Sequence, residues 1–175
     1  KGVKSQEFFK HYVRAPIIYQ SHPFLGGKNE VFPEIGTFYS KKGAGSNTQA
    51  NLSLQMHHSF AKVQFTGTHE ISYLRPKDNI QFRLFAGSFL YNNSTNPFFN
   101  FRMDGDMGRF DYTADHVLSD RAGTSNFWGQ QFAITEGGFK TPTNVGVTNQ
   151  WLMAGNTKVD APGKIPGGLY LDLGY

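Results

Sequence analysis

The stretch of this chain closest to a catalytic motif is His69-Glu70-Ile71-Ser72-Tyr73. A zinc peptidase of the gluzincin kind carries H-E-x-x-H on a helix. There the two histidines, one turn apart, share a face and bind zinc, and the glutamate acts as base. Here Tyr73 stands where the second histidine is required. The flanking residues alternate with period two, so His69 and Glu70 are expected on opposite sides of a strand. His57-His58 is a second metal-like pair. Read as strand neighbours, the two rings diverge and do not chelate one ion together. His11, His22 and His116 are isolated in the sequence.

Oxygen ligands fare no better. Asp104-Gly105-Asp106-Met107-Gly108 lacks the third ligand and closing glutamate of a calcium loop, and reads as turn chemistry. Asp111, Asp115 and Asp120 lie near Arg109 and Arg121, a pattern of compensating charges. Glu136-Gly137-Gly138-Phe139-Lys140 reads as a kink or turn, because paired glycines mark bends and close backbone approaches. There is no cysteine, which removes disulfides, thiolate metal sites and cysteine nucleophiles. G-x-S-x-G, the P-loop and G-x-G-x-x-G are absent as well. No catalytic, cofactor or metal constellation is expected within the chain.

The elements that would position any such residues are strands. From Val63 to Tyr73 the odd positions are Val63, Phe65, Gly67, His69, Ile71 and Tyr73, while every even position is polar. Pro76-Lys77-Asp78-Asn79 makes a turn, after which Ile80, Phe82, Leu84 and Ala86 resume an apolar face. Alternation also marks Ile35–Tyr39, which leads into a loop over residues 42–47. It recurs in Ala50–Met56, Phe110–Leu118, Trp128–Ile134, Trp151–Gly155 and Leu169–Leu173. That makes about eight strands. Gln6–Arg14 is the one stretch with a helical reading.

Composition points the same way. The 175 residues include 17 Phe, 8 Tyr, 2 Trp and 20 Gly, yet mean hydropathy is negative. Aromatic-rich and aliphatic-poor strands with polar alternate positions match outer-membrane barrel walls, which carry aromatic girdles. The strands also exceed the five or six residues usual for a sandwich. A net charge of +4, without a basic run, is no footprint for nucleic acid. No apolar stretch is long enough for a membrane-spanning helix, and Lys1-Gly2-Val3-Lys4 leads into no signal-peptide core.

The second half of the chain carries an ordered series of short motifs. These are Asp115-His116-Val117-Leu118-Ser119-Asp120-Arg121, Phe127-Trp128-Gly129-Gln130-Gln131-Phe132, Glu136-Gly137-Gly138-Phe139-Lys140 and Trp151-Leu152-Met153-Ala154-Gly155-Asn156. Pro162-Gly163-Lys164-Ile165-Pro166 and Leu169-Tyr170-Leu171-Asp172-Leu173-Gly174 close it. The series resembles the C-terminal outer-membrane β-barrel region of M1-family (gluzincin) metallopeptidase-like proteins of Gram-negative bacteria. It covers residues 80–175 and, loosely, the first third of the chain. The resemblance implies a portion of a larger protein, without its N-terminal peptidase-like domain and last strands. Any zinc of that protein would sit in the peptidase domain.

The expectation is therefore an all-β chain, an antiparallel transmembrane β-barrel segment of about eight strands in a bacterial outer membrane. Its partners would be the lipid bilayer and other outer-membrane proteins. Val63, Phe65, Ile71, Ile80, Phe82, Leu84, Leu169, Leu171 and Leu173 would face lipid. The rival reading is a soluble, secreted β-sandwich that binds carbohydrate through surface aromatics such as Trp128 and Trp151.

Overall fold

Period-two alternation of β-branched and aromatic residues with polar ones is what a pleated, half-buried strand requires. The chain turns that pattern into strands. The computed structural model describes residues 5–22, 26–75, 78–104, 136–139, 145–162 and 168–175. In order they form β1 (Gln6–Arg14), β2 (Ile17–His22), β3 (Gly26–Val31), β4 (Glu34–Gly43), β5 (Ser46–His57), β6 (Phe60–Ser72) and β7 (Asn79–Asn92). A 3-10 turn at Pro97–Phe99 follows, then β8 (Phe101–Arg102), β9 (Val147–Thr148), β10 (Trp151–Asp160) and β11 (Gly168–Gly174).

Seven strands make one antiparallel sheet in the order β1-β4-β5-β6-β7-β10-β11. It is an up-and-down meander with two excursions. The β2–β3 hairpin interrupts it between β1 and β4, and residues 93–150, which include the small β8–β9 ladder, between β7 and β10. Among the described residues the sheet is open, with β1 and β11 at its edges. No helix among the described residues is long and apolar enough to cross a membrane, which leaves crossing by strands untouched.

The all-β, antiparallel reading holds. Three details change. Gln6–Arg14 is an edge strand, paired along its whole length with Arg14↔Glu34 at one end and Gln6↔Lys42 at the other. The loop expected over residues 42–47 shrinks to Ala44-Gly45, because Gly43 already pairs with Ser46. Among the described residues the sheet counts seven strands, against about eight expected segments. Two of the expected segments, Phe110–Leu118 and Trp128–Ile134, lie outside the described residues, as do Pro76 and Lys77.

Register assigns every side chain of the sheet to one of two faces. One face is covered. There Phe85, Leu152 and Ala154 meet Phe101 and Met103 of the second excursion, while Phe32, Phe60 and Phe99 form a neighbouring cluster. Phe89 packs against both clusters. Gly87 makes room for the Phe101 ring, since a Cβ there would lie 2.7 Å from Phe101 Cε1.

Gly36 plays the same part for Tyr12, its cross-strand neighbour. A Cβ at Gly36 would stand 2.3 Å from Tyr12 Cζ. Alanine normally suits a strand better than glycine. Gly36→Ala is nonetheless expected to destabilise by about 1–3 kcal/mol, because the ring must move off its neighbours. Urea-unfolding midpoints of the two forms check this, and a stabilised variant refutes it.

Candidate functional site

Polarity is unevenly shared between the two faces. Outside its two aromatic clusters, the covered face is polar. One of its rows runs Phe8–Ser40–Gln49–Thr68–Arg83–Asn156–Asp172, and another joins Arg14, Glu34, Gln55 and Lys62. Ser40, Ser53, Gln55, Glu34, Lys62, Arg83 and Asn156 are all buried.

Several of these buried polar groups are partnered, as burial favours. Arg14 Nη2 donates to Glu34 Oε2 at 2.8 Å. Tyr12 Oη donates to Glu34 Oε1 at 2.8 Å, with Asn51 Oδ1 3.2 Å away. Arg83 Nη1 donates to Asn156 Oδ1 at 2.9 Å, and Asn156 Nδ2 is 3.0 Å from both Asp172 Oδ1 and the Gly137 carbonyl.

Among the described residues Lys62 is the most enclosed cation, only 1% exposed. Its Nζ lies 4.9 Å from the Phe101 ring centre and 5.8 Å from those of Phe60 and Phe89. Glu136 Oε1 stands 3.9 Å from that Nζ, while Oε2 accepts from the Arg102 backbone N–H. Glu136 therefore ties the second excursion to the sheet. Its backbone sits at φ +43°, a left-handed conformation costing a non-glycine residue about 1–2 kcal/mol. The Glu136-Gly137-Gly138 stretch is thus a tight turn that aims a carboxylate at a buried ammonium. The aim was not visible in the sequence, because Lys62 lies far back in the chain.

The opposite face is apolar and bare. All nine side chains expected to face lipid lie on it. Ile71, Ile80 and Leu169 fall on one row through Val159, and Phe82 and Leu171 on another through Thr157. Leu84 and Leu173 flank Gly155, and Phe65 and Val63 precede them along β6. Leu84 is 48% exposed and Leu171 57%. Val13, Ile35, Leu52 and Met153 extend the same surface and are exposed. Trp151 stacks on Tyr175 at its margin, with ring centres 5.3 Å apart.

No family model, curated protein or solved structure matches this chain.

The motifs singled out in the sequence separate cleanly. His69-Glu70-Ile71-Ser72 lies on β6. His69 turns to the apolar face and bonds Thr48 Oγ1 at 2.8 Å, while Glu70 is on the polar face beside Gln81. They do not form a metal site. His57-His58 differs from its strand reading. β5 ends at His57, and the turn that follows brings the His58 ring to 3.9 Å from the His57 ring. Alternation stops applying where the strand stops. His11 bonds Thr37 Oγ1 at 3.0 Å. Asp104 bridges to Phe139, but the rest of its loop, His116 and the 109–121 charge cluster lie outside the described residues. So does Trp128 of the carbohydrate reading.

Proposed function

We propose that this chain is the membrane-embedded wall of a bacterial outer-membrane β-barrel, anchoring a peptidase-like domain or docking with other outer-membrane subunits. The observation that carries the reading is the sheet's polarity: the bare face is mostly apolar, while the covered face, beside its aromatic clusters, is lined with buried polar and charged groups. In a barrel of this kind lipid touches alternate residues and the interior is polar. In a soluble sandwich the covered face is the apolar one. Soluble monomers rarely expose apolar patches beyond a few hundred Å².

The dimensions of the patch agree with a bilayer. From Val63 to Ile71 it runs about 27 Å along the strand at about 3.4 Å per residue. Seven strands spaced about 4.8 Å apart make it about 29 Å wide. The apolar band of a barrel is about 25 Å tall.

Its outline supports the reading too. On β4 and β5 the band includes Ile35, Leu54 and Leu52 and ends before Lys41 and Thr48. On β11 it is displaced toward Leu171 and Leu169. The shift is about two rows, or about 14 Å, across about five strands, or about 24 Å. That inclines the band by about 30° to the perpendicular of the strands, near the strand tilt of about 35–45° in such barrels. The attached peptidase-like domain has its support in the sequence resemblance.

Gel mobility of the natural protein from the membrane fraction, with and without boiling, tests the proposal. The expected result is a heat-dependent shift of a species well above 19.6 kDa. A soluble species at 19.6 kDa, unshifted by heat, overturns it.

A further inference from the structure

We propose that Glu30, His57 and His58 form a binding site for a divalent transition metal, with zinc the best-matched ion, which clips the β2–β3 hairpin to the end of the sheet. The site draws on three places in the chain. Glu30 comes from β3, His57 is the last residue of β5, and His58 opens the turn into β6. One ligand atom from each lies within 4.8 Å of the others. Glu30 Oε2 is 2.8 Å from His57 Nε2 and 3.7 Å from His58 Nδ1.

Those separations suit one ion. With metal–ligand bonds of about 2.0–2.2 Å, tetrahedral ligands stand about 3.4 Å apart. The separations from Glu30 lie on either side of that value and the two ring nitrogens are within 4.8 Å of each other, so side-chain rotations can bring all three onto one ion. Two imidazoles and a carboxylate select zinc, copper or nickel over calcium and magnesium, which take oxygen ligands.

The surroundings are those of a built site. His57 is the fixed ligand, its side chain only 2% exposed. Its ring lies 5.0 Å from Phe32, 5.0 Å from Phe60 and 5.3 Å from Phe99. Its Nδ1 is 2.8 Å from Ser59 Oγ. The Ser59 backbone N–H also stands 3.4 Å from Nδ1; in the metal-bound form the ring proton moves to Nδ1 and is accepted by Ser59 Oγ, which frees the Nε2 lone pair for the ion. His58, 65% exposed, gives access from solvent and leaves a fourth position for water. The aromatic wall lowers the local dielectric on the buried side and strengthens binding.

The bound ion would join β3 to the β5–β6 turn. Without metal a His57–Glu30 hydrogen bond spans the same gap, so the ion tightens an existing contact. The site rests on local geometry and stands whichever way the membrane reading falls.

The test uses the natural full-length protein, stripped with a chelator and titrated with zinc in a calorimeter. Wild type is expected to bind one more equivalent per chain than His58→Ala. Because His58 is exposed, that variant folds normally. Glu30→Gln is expected to weaken the same equivalent at least about tenfold, since even outer-shell partners of a ligand are worth about 10–100-fold. Unchanged zinc isotherms in both variants overturn the site. Zinc should also slow amide exchange across Gly26–Val31 in wild type but not in His58→Ala. Exchange that ignores zinc in wild type overturns the clip.

Discussion

On the proposed membrane reading, Leu84→Arg is expected to abolish barrel assembly, while Gln81→Arg on the same strand is expected to leave it intact. Both residues are on β7, three positions apart, and so on opposite faces. Leu84 sits near mid-strand on the bare apolar face, between Gly67 and Gly155. An arginine facing lipid near the midplane costs about 2–4 kcal/mol, against about 1.4 kcal/mol per tenfold in population. Gln81 is on the polar face, opposite Glu70 and Lys158, where a guanidinium gains a carboxylate partner. The measurement is the heat-modifiable fraction of each variant in isolated membranes. In a soluble sandwich Leu84, already 48% exposed, accepts arginine within about 0.5 kcal/mol. Normal assembly of Leu84→Arg therefore sinks the facing assignment. Phe82→Asp, on the same face, should fail in the same way.

The second large effect concerns the interior. Glu136→Ala is expected to destabilise the fold by about 3 kcal/mol, the lower end for breaking a buried ion pair. The carboxylate does two things at once. It faces the Lys62 ammonium at 3.9 Å and receives the Arg102 N–H. Its loss weakens the compensation of a cation enclosed by Phe60, Phe89 and Phe101. Adding Lys62→Met to Glu136→Ala should recover most of the loss, because an apolar side chain of similar length removes the buried charge. Urea unfolding of the single and double variants measures both steps. A single variant within about 0.5 kcal/mol of wild type refutes the role given to Glu136.

How far the sequence could be read depended on distance along the chain. β6 was legible because Val63 to Tyr73 alternate without interruption, and period two is a local property. β1 was not, because Phe8-Phe9 and His11-Tyr12-Val13 place bulky residues on both faces and blur the period. From the sequence the Ala44-Gly45 turn looks longer than it is, since Lys42, Gly43, Ser46 and Asn47 all have turn-like chemistry although they pair across the ladder. The two buried arrangements were invisible for another reason. Glu136 meets Lys62 and Glu30 meets His57 only through the fold, and neither pair shares a motif. The His57-His58 pair was read under a rule that holds inside a strand, and it sits where the strand ends.

The open meander has a further consequence, one of direction. Successive neighbours in the sheet run opposite ways, so the first and the seventh, β1 and β11, run the same way. Joined directly, those edges would form a parallel seam in an otherwise antiparallel wall. Single-chain bacterial barrels have even strand numbers and no such seam. An antiparallel closure of this sheet thus takes an odd number of further strands, one at the least. Whatever supplies them must join one edge and the other at opposite ends of the strands.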